Sequence, residues 1–154
     1  MSLDDLYKEV ILDHYKSPRN RRGLGDATVS HHGNNPLCGD EITVHARLDD
    51  GRLAEVTFEG QGCSISQASA SMLTEAVGGL SVSEAEGLAE RFRAMMEGKV
   101  EPDEDSFGDL AALKGVVKYP VRIKCAVLAW DTLQEALGDT GAAPSDGGSG
   151  TGSQ

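Results

Sequence analysis

Apolar residues recur at every second position in two stretches of this chain and at helical spacing in several others, a change of period that predicts an antiparallel hairpin set among helices. Ile42, Val44, Ala46 and Leu48 alternate with Thr43, His45 and Arg47; Ala54, Val56 and Phe58 alternate with Glu55, Thr57 and Glu59. Both runs read as half-buried strands. Asp49-Asp50-Gly51-Arg52 between them carries the Asp-Gly signal of a tight turn, so pairing centred there matches residues whose numbers sum to roughly 100. Cys38 and Cys63 then lie side by side at the open end of the hairpin. Asp40 precedes Ile42 by two, and the same alternation turns its carboxylate toward the buried face near both thiols. Gly39 and Gly62 allow close passage of the backbone there.

Outside the hairpin the period becomes helical. Leu6, Val10 and Ile11 predict an N-terminal amphipathic helix over Leu3 to Tyr15, stopped at Ser17-Pro18 because proline disfavours helix in the residue before it. Ala27 to Ser30 reads as a short edge strand, giving a small antiparallel sheet of about three strands packed against helices, an α+β fold. Ser64-Ile65-Ser66-Gln67 has capping-box spacing and opens a helix that Gly78-Gly79 ends, which puts Cys63 at a helix N-terminus. Another helix starts near Ser83 and runs through Leu88, Phe92 and Met95 to Gly98. Lys99 to Gly115 is acidic and poorly periodic, and reads as a surface excursion. Tyr119-Pro120 opens the last helix, whose stripe is Ile123, Val127, Trp130, Leu133 and Leu137. Cys125 lies roughly 200° around the axis from Ile123, off that stripe and close to the helix start.

The 154 residues suit one domain, read as 1–138, followed by a Gly/Ser-rich tail from 139 to 154 with almost nothing to bury. A net charge of −11 argues against general nucleic-acid affinity, which rests on cationic neutralisation of phosphates. No stretch approaches the roughly 20 apolar residues of a membrane span, and the acidic opening Met1-Ser2-Leu3-Asp4-Asp5 is unlike a secretory signal. A cytoplasmic location is expected.

Three cysteines cannot all pair within one chain, and in a reducing compartment such thiols more often bind metal or react. Helix-start positions favour thiolate at Cys63 and Cys125. Three cysteines and Asp40 would complete the tetrahedron zinc prefers, although the most specific zinc spacings are absent. The same thiolates could hold an iron–sulfur cluster. Spacing alone leaves structural zinc, exchangeable zinc and a cluster open.

Asn35-Pro36-Leu37-Cys38-Gly39-Asp40, Gly60-Gln61-Gly62-Cys63-Ser64-Ile65-Ser66-Gln67 and Arg122-Ile123-Lys124-Cys125, with Asp13-His14-Tyr15-Lys16-Ser17-Pro18-Arg19-Asn20 upstream, carry a resemblance. In order over roughly residues 3 to 137, the chain resembles the U-type iron–sulfur scaffold family, most of all its SUF branch. That resemblance implies an α+β fold and a zinc protein that accepts persulfide sulfur from a SufS-type cysteine desulfurase, with SUF scaffold complex proteins as further partners. Carried over by position, Cys38, Asp40, Cys63 and Cys125 would be zinc ligands and Cys38 the sulfur acceptor. Arg122 would be a nearby cation able to take over a ligand's contacts when Cys38 leaves. The alternative is a scaffold on which a cluster bound by Cys38, Cys63 and Cys125 is assembled and passed on. Lys124 stands where the IscU branch has histidine, and Tyr119-Pro120-Val121-Arg122 replaces its Leu-Pro-Pro-Val-Lys chaperone-docking motif. Docking of the specialised Hsp70 is therefore not implied.

The histidines attract plainer readings. His31 and His32 lie in a Gly-Asn stretch and read as solvated rather than as ligands; His14 suits the C-terminal dipole of the first helix; His45 faces the polar side of its strand. No histidine has a compelling link to a cysteine, which disfavours a cysteine hydrolase.

Overall fold

A computed structural model describes residues 3–36, 39–101 and 104–139. The chain runs α1 (Leu3–Lys16), β1 (Val29–Asn35), β2 (Asp40–Asp49), β3 (Arg52–Gln61), α2 (Ser64–Val77), α3 (Val82–Met96), α4 (Glu104–Phe107), a 3-10 helix (Gly108–Val116) and α5 (Pro120–Asp139). The three strands form one antiparallel sheet in sequence order. Helices α2 and α5 pack on it and on each other, while α1 lies against α2 and the 3-10 helix. The expected α+β architecture is the one observed.

Asp50 and Gly51 make the tight turn between β2 and β3, with φ of 58° and 79°. Two successive positive φ values give the turn the twist that hairpin strands need, which is why an Asp-Gly pair sits there. Beside the turn Leu48 pairs with Leu53, but beyond a bulge Arg47 pairs with Glu55, leaving Ala54 as the extra residue. The bulge overturns one detail of the alternation: Leu53 is fully buried, where strict period two points Ala54 inward. It also moves the register by one. Glu41 pairs with Gln61, so the ladder continued by one step sets Asp40 against Gly62; the expected pairing of Cys38 with Cys63 falls on a residue outside the described ones.

Strand β1 extends to Asn35, past the edge strand expected over Ala27 to Ser30, and takes in His31 and His32. Its residues alternate between exposed and half-buried, so a polar edge strand carries no hydrophobic signal. Helix α5 crosses it closely at Gly33, where a β-carbon would stand 2.2 Å from Thr132 Oγ1.

The core lies between the sheet and the helices. Ile42, Val44, Ala46 and Phe58 face it from the strands, Met72 and Leu73 from α2, and Trp130 and Leu133 from α5; all are essentially inaccessible. The Trp130 ring stacks on Phe92 of α3, centroids 4.9 Å apart. The segment expected to be a surface excursion is part of this core: Phe107, Leu110, Ala111, Ala112, Leu113 and Val116 are buried. A 3-10 helix has three residues per turn, so its apolar positions do not match the α-helical period used to read the sequence. The tail from residue 140 lies outside the described residues.

Helix α3 begins with a reciprocal cap. Ser81 Oγ accepts the Glu84 amide at 3.1 Å and Glu84 Oε1 accepts the Ser81 amide at 2.9 Å. Acceptance of the Ser81 amide foremost, and of the Ser81 hydroxyl second, holds the Glu84 carboxyl below its ordinary range. A carboxyl whose folded pKa is depressed contributes stability above its unfolded pKa and loses it as pH falls through the folded one. Ser81→Ala is expected to lower unfolding free energy by about 1 kcal/mol near neutral pH. The Ser81 amide survives in that variant, so the pH-dependent loss belongs to Glu84→Ala: in urea titrations it should shrink below the carboxylate range, and a loss independent of pH would contradict acceptance of the Ser81 amide by the Glu84 carboxylate.

Candidate metal centre

Asp40 opens β2 in phase with Ile42, Val44 and Ala46, so its side chain turns inward and is wholly buried. A buried carboxylate requires hydrogen-bond partners. Its Oδ1 accepts the backbone N–H of Cys63 at 2.8 Å, and its Oδ2 lies 4.0 Å from Cys63 Sγ. Gly62 makes this approach possible: its φ is +149°, and a β-carbon there would stand 2.3 Å from Asp40 Oδ1 and 2.9 Å from Asp40 Cα.

Cys63 is the N-cap of α2, with extended backbone and no side-chain cap of its own. The expected capping box from Ser64 to Gln67 does not form, because the helix starts one residue earlier and Ser66 Oγ instead donates to Cys63 O at 3.1 Å. Asp40, reaching across from β2, takes over the capping role by accepting the Cys63 amide.

Cys125 is the sixth residue of α5 and is fully buried. Its Sγ lies 3.9 Å from the Val121 carbonyl and 3.9 Å from Asn35 Nδ2, which donates toward it. One ligand atom each from Asp40, Cys63 and Cys125 lies within 4.8 Å of the other two. A tetrahedral zinc ion with sulfur at about 2.3 Å and oxygen at about 2.1 Å needs ligand separations of roughly 3.5 to 3.8 Å, within a rotamer adjustment of this arrangement. Two thiols and a carboxyl fit a zinc ion chemically and in size. Cys38 lies outside the described residues.

The structure therefore brings Asp40, Cys63 and Cys125 together. Asn35 is a site residue that sequence reasoning misses. Its only signal is its place in Asn35-Pro36-Leu37-Cys38-Gly39-Asp40, yet it is buried with its amide aimed at Cys125. Arg122 is exposed in the first turn of α5, on the wall of a groove of about 740 Å³ that also includes Ser64 and Ile65, directly after Cys63. Lys124 is exposed as well.

The histidines have other partners. His31 Nε2 pairs with Glu135 at 3.1 Å and His32 Nε2 with Glu41 at 3.2 Å. His45 bridges Ser30 Oγ and Glu59 on the polar face. The reading of His14 as a helix-end cap is overturned: it is fully buried, with Nδ1 2.7 Å from Ser71 Oγ and Nε2 2.8 Å from Asp109 Oδ2. A Ser-His-Asp chain of this kind is no nucleophile, because Ser71 is inaccessible and already accepts the Arg19 amide at 2.8 Å.

Residues 6–126 match the family described as NifU-like N-terminal domain. The chain is 47% identical over 136 residues to the zinc-dependent sulfurtransferase SufU of Bacillus subtilis, covering 88% of this chain and 92% of that protein. It is 42% identical over 135 residues to the iron–sulfur cluster assembly scaffold protein IscU of Streptococcus pyogenes, covering 88% and 84%. A solved structure from Fervidobacterium islandicum, described as a scaffold protein for iron–sulfur cluster assembly in the SUF system, superposes with a TM-score of 0.80 at 36% identity, over 88% of this chain and 99% of that one.

Proposed function

The chain belongs to the NifU-like N-terminal domain family, and from that premise we propose that it is a zinc-dependent sulfur acceptor of iron–sulfur cluster assembly, which takes persulfide sulfur from a SufS-type cysteine desulfurase onto Cys38. The observation that carries the reading is the gathering of Asp40, Cys63 and Cys125, in a chain 47% identical to a zinc-dependent sulfurtransferase. Cys38 stands two residues before Asp40 and three after Asn35, so the covalent chain tethers it to both sides of that cluster and makes it the fourth ligand of our proposal. The proposal also puts the protein in the cytoplasm, where free thiols persist.

The carboxylate bears on the mechanism. Four thiolates make a closed structural zinc site, whereas a mixed donor set with one ligand on a tether permits exchange. A bound zinc ion would hold the thiols deprotonated at neutral pH without redox chemistry of its own. The Asp40 carboxylate, fixed by the Cys63 amide, and the thiols of Cys63 and Cys125 would be the residues still holding zinc once Cys38 had left it. The freed Cys38 thiolate attacks the outer sulfur of the donor's cysteine persulfide; a new S–S bond forms at Cys38, the old one breaks, and the donor cysteine leaves as thiolate. The exchange is balanced without an added oxidant or reductant. Arg122, on the wall of the groove that includes Ser64 and Ile65, would be the cation that pairs with anionic charge exposed during this exchange.

The scaffold reading stands second, supported by the 42% identity to a protein named for cluster assembly. One experiment weighs the two. The purified full chain, its zinc counted, is mixed with a cysteine desulfurase and cysteine while alanine release is followed. Faster alanine release together with one added sulfur atom on Cys38 by mass spectrometry is the expected result. A desulfurase rate unchanged by protein carrying one zinc would end the sulfur-acceptor proposal. Anaerobic formation of a cluster that transfers to apo-proteins faster than it decays would favour the scaffold.

A further inference from the structure

A second group of ligand-capable side chains gathers at the far end of α2 from the thiols. His14 in the last turn of α1, Glu75 in the last turn of α2 and Asp109 in the first turn of the 3-10 helix each present one ligand atom within 4.8 Å of the others. Glu75 is twelve residues after Cys63, about 18 Å along the helix at 1.5 Å per residue, so this cluster is separate from the centre described above. From it we propose a binding site for a divalent first-row cation of the Mn2+ to Zn2+ series.

Three features beyond proximity support this. First, the imidazole is wholly buried and fixed from behind: Ser71 Oγ sits 2.7 Å from Nδ1 and is itself held by the Arg19 amide. Metal-binding histidines are oriented in this way, with the second ring nitrogen on a hydrogen-bonding partner that sets the tautomer. The Ser71 hydroxyl can donate to Nδ1 or accept from it, so Nε2 can either give a proton to Asp109 or present a lone pair to a cation. Second, Nε2 and Asp109 Oδ2 are 2.8 Å apart, close to the edge of roughly 3 Å between neighbouring ligands of a six-coordinate ion at about 2.1 Å. Third, the two carboxylate members, Glu75 and Asp109, line a cavity of about 270 Å³ together with Asp105 and Gly108, with room for the waters that would complete the coordination shell. Glu75 and Asp109 also act electrostatically on Arg19, whose guanidinium is bound by the Asp13 carboxylate at 2.6 Å.

One imidazole and two carboxylates select borderline first-row ions over Ca2+ or Mg2+, which prefer all-oxygen shells. Without thiolate, the site would not rival the cysteine centre for zinc.

Mn2+ is the probe, added to zinc-loaded full-length protein and followed by loss of the free-ion electron paramagnetic resonance signal, while nuclear magnetic resonance monitors the histidine rings. The expected result is one tightly bound Mn2+ per chain, selective broadening of the His14 ring signals, and zinc retained throughout. Glu75→Gln and Asp109→Asn, both on exposed side chains, should each weaken that binding by more than 10-fold, since even outer partners of metal sites cost about 10- to 100-fold. Wild-type affinity in both variants, or Mn2+ binding that leaves the His14 ring sharp, would overturn the site and reduce the cluster to a hydrogen-bonded histidine. Zinc retention and desulfurase stimulation are read in the same samples, so failure here leaves the sulfur-acceptor reading separately testable.

Discussion

Cys125→Ala is expected to lower zinc affinity by more than about 100-fold, because loss of a ligand must exceed the 10- to 100-fold cost of losing an outer-shell partner. Cys38→Ala is expected to lose less zinc and yet abolish sulfur uptake. The difference follows from how each thiol is held. Cys125 is buried in the second turn of α5 with the Asn35 amide against it, and Cys63 caps α2 with Asp40 on its amide. Both are therefore placed by packed helices before any metal arrives, and little ordering entropy remains to oppose binding. Cys38 is the ligand proposed to come and go. Zinc competition with a chromogenic chelator ranks the variants, and thermal melting supplies a second reading, because a ligand that binds only the folded chain raises its stability by mass action. Chelation should thus lower the melting temperature of the wild type most, of Cys38→Ala less, and of Cys125→Ala least. Equal zinc loss in Cys38→Ala and Cys125→Ala would mean that Cys38 is a fixed ligand and would remove the basis for its departure.

Much of this centre is legible in the sequence because two independent periodicities converge on it. Alternation along β2 sets the inward direction of Asp40 from Ile42, and the spacing around Pro120 puts Cys125 near a helix start. Other details depend on contacts that no local pattern records. The bulge at Ala54 moves the register by one, an event set by how a strand pair twists over its core. Burial of Leu110, Leu113 and Val116 escapes a period-3.6 reading because those residues lie on a 3-10 helix. His14 looks like a terminal cap until Ser71, 57 positions away, and Asp109, 95 positions away, close around it. Asn35 likewise reaches Cys125 over 90 residues. Sequence separations of that size are decided by tertiary packing.

Gly62→Ala should cost about 3 kcal/mol or more of folding stability and empty the metal centre along with it, since a strained backbone and a steric clash add at this position. The backbone φ of +149° is one that side-chain-bearing residues rarely adopt, a penalty on the order of 1 to 3 kcal/mol. The new methyl would also meet Asp40 at 2.3 Å from Oδ1 and 2.9 Å from Cα. Rotation of the carboxylate would relieve the first clash. The second is with the backbone of Asp40 itself, so its relief requires β2 and β3 to move apart where Asp40 accepts the Cys63 amide. Separation of the strands there withdraws a ligand oxygen and uncaps α2 in one step. Gly39→Ala is the control: its φ is +69° but nothing among the described residues stands within 4 Å of a β-carbon, so only a left-handed backbone cost of about 1 to 2 kcal/mol applies. Urea unfolding of the two chelated proteins isolates the backbone and steric costs, and repeating it with zinc present adds the ligand. If the two alanine variants unfold at the same urea concentration and bind zinc alike, the close approach of Gly62 to Asp40 is not what builds the centre.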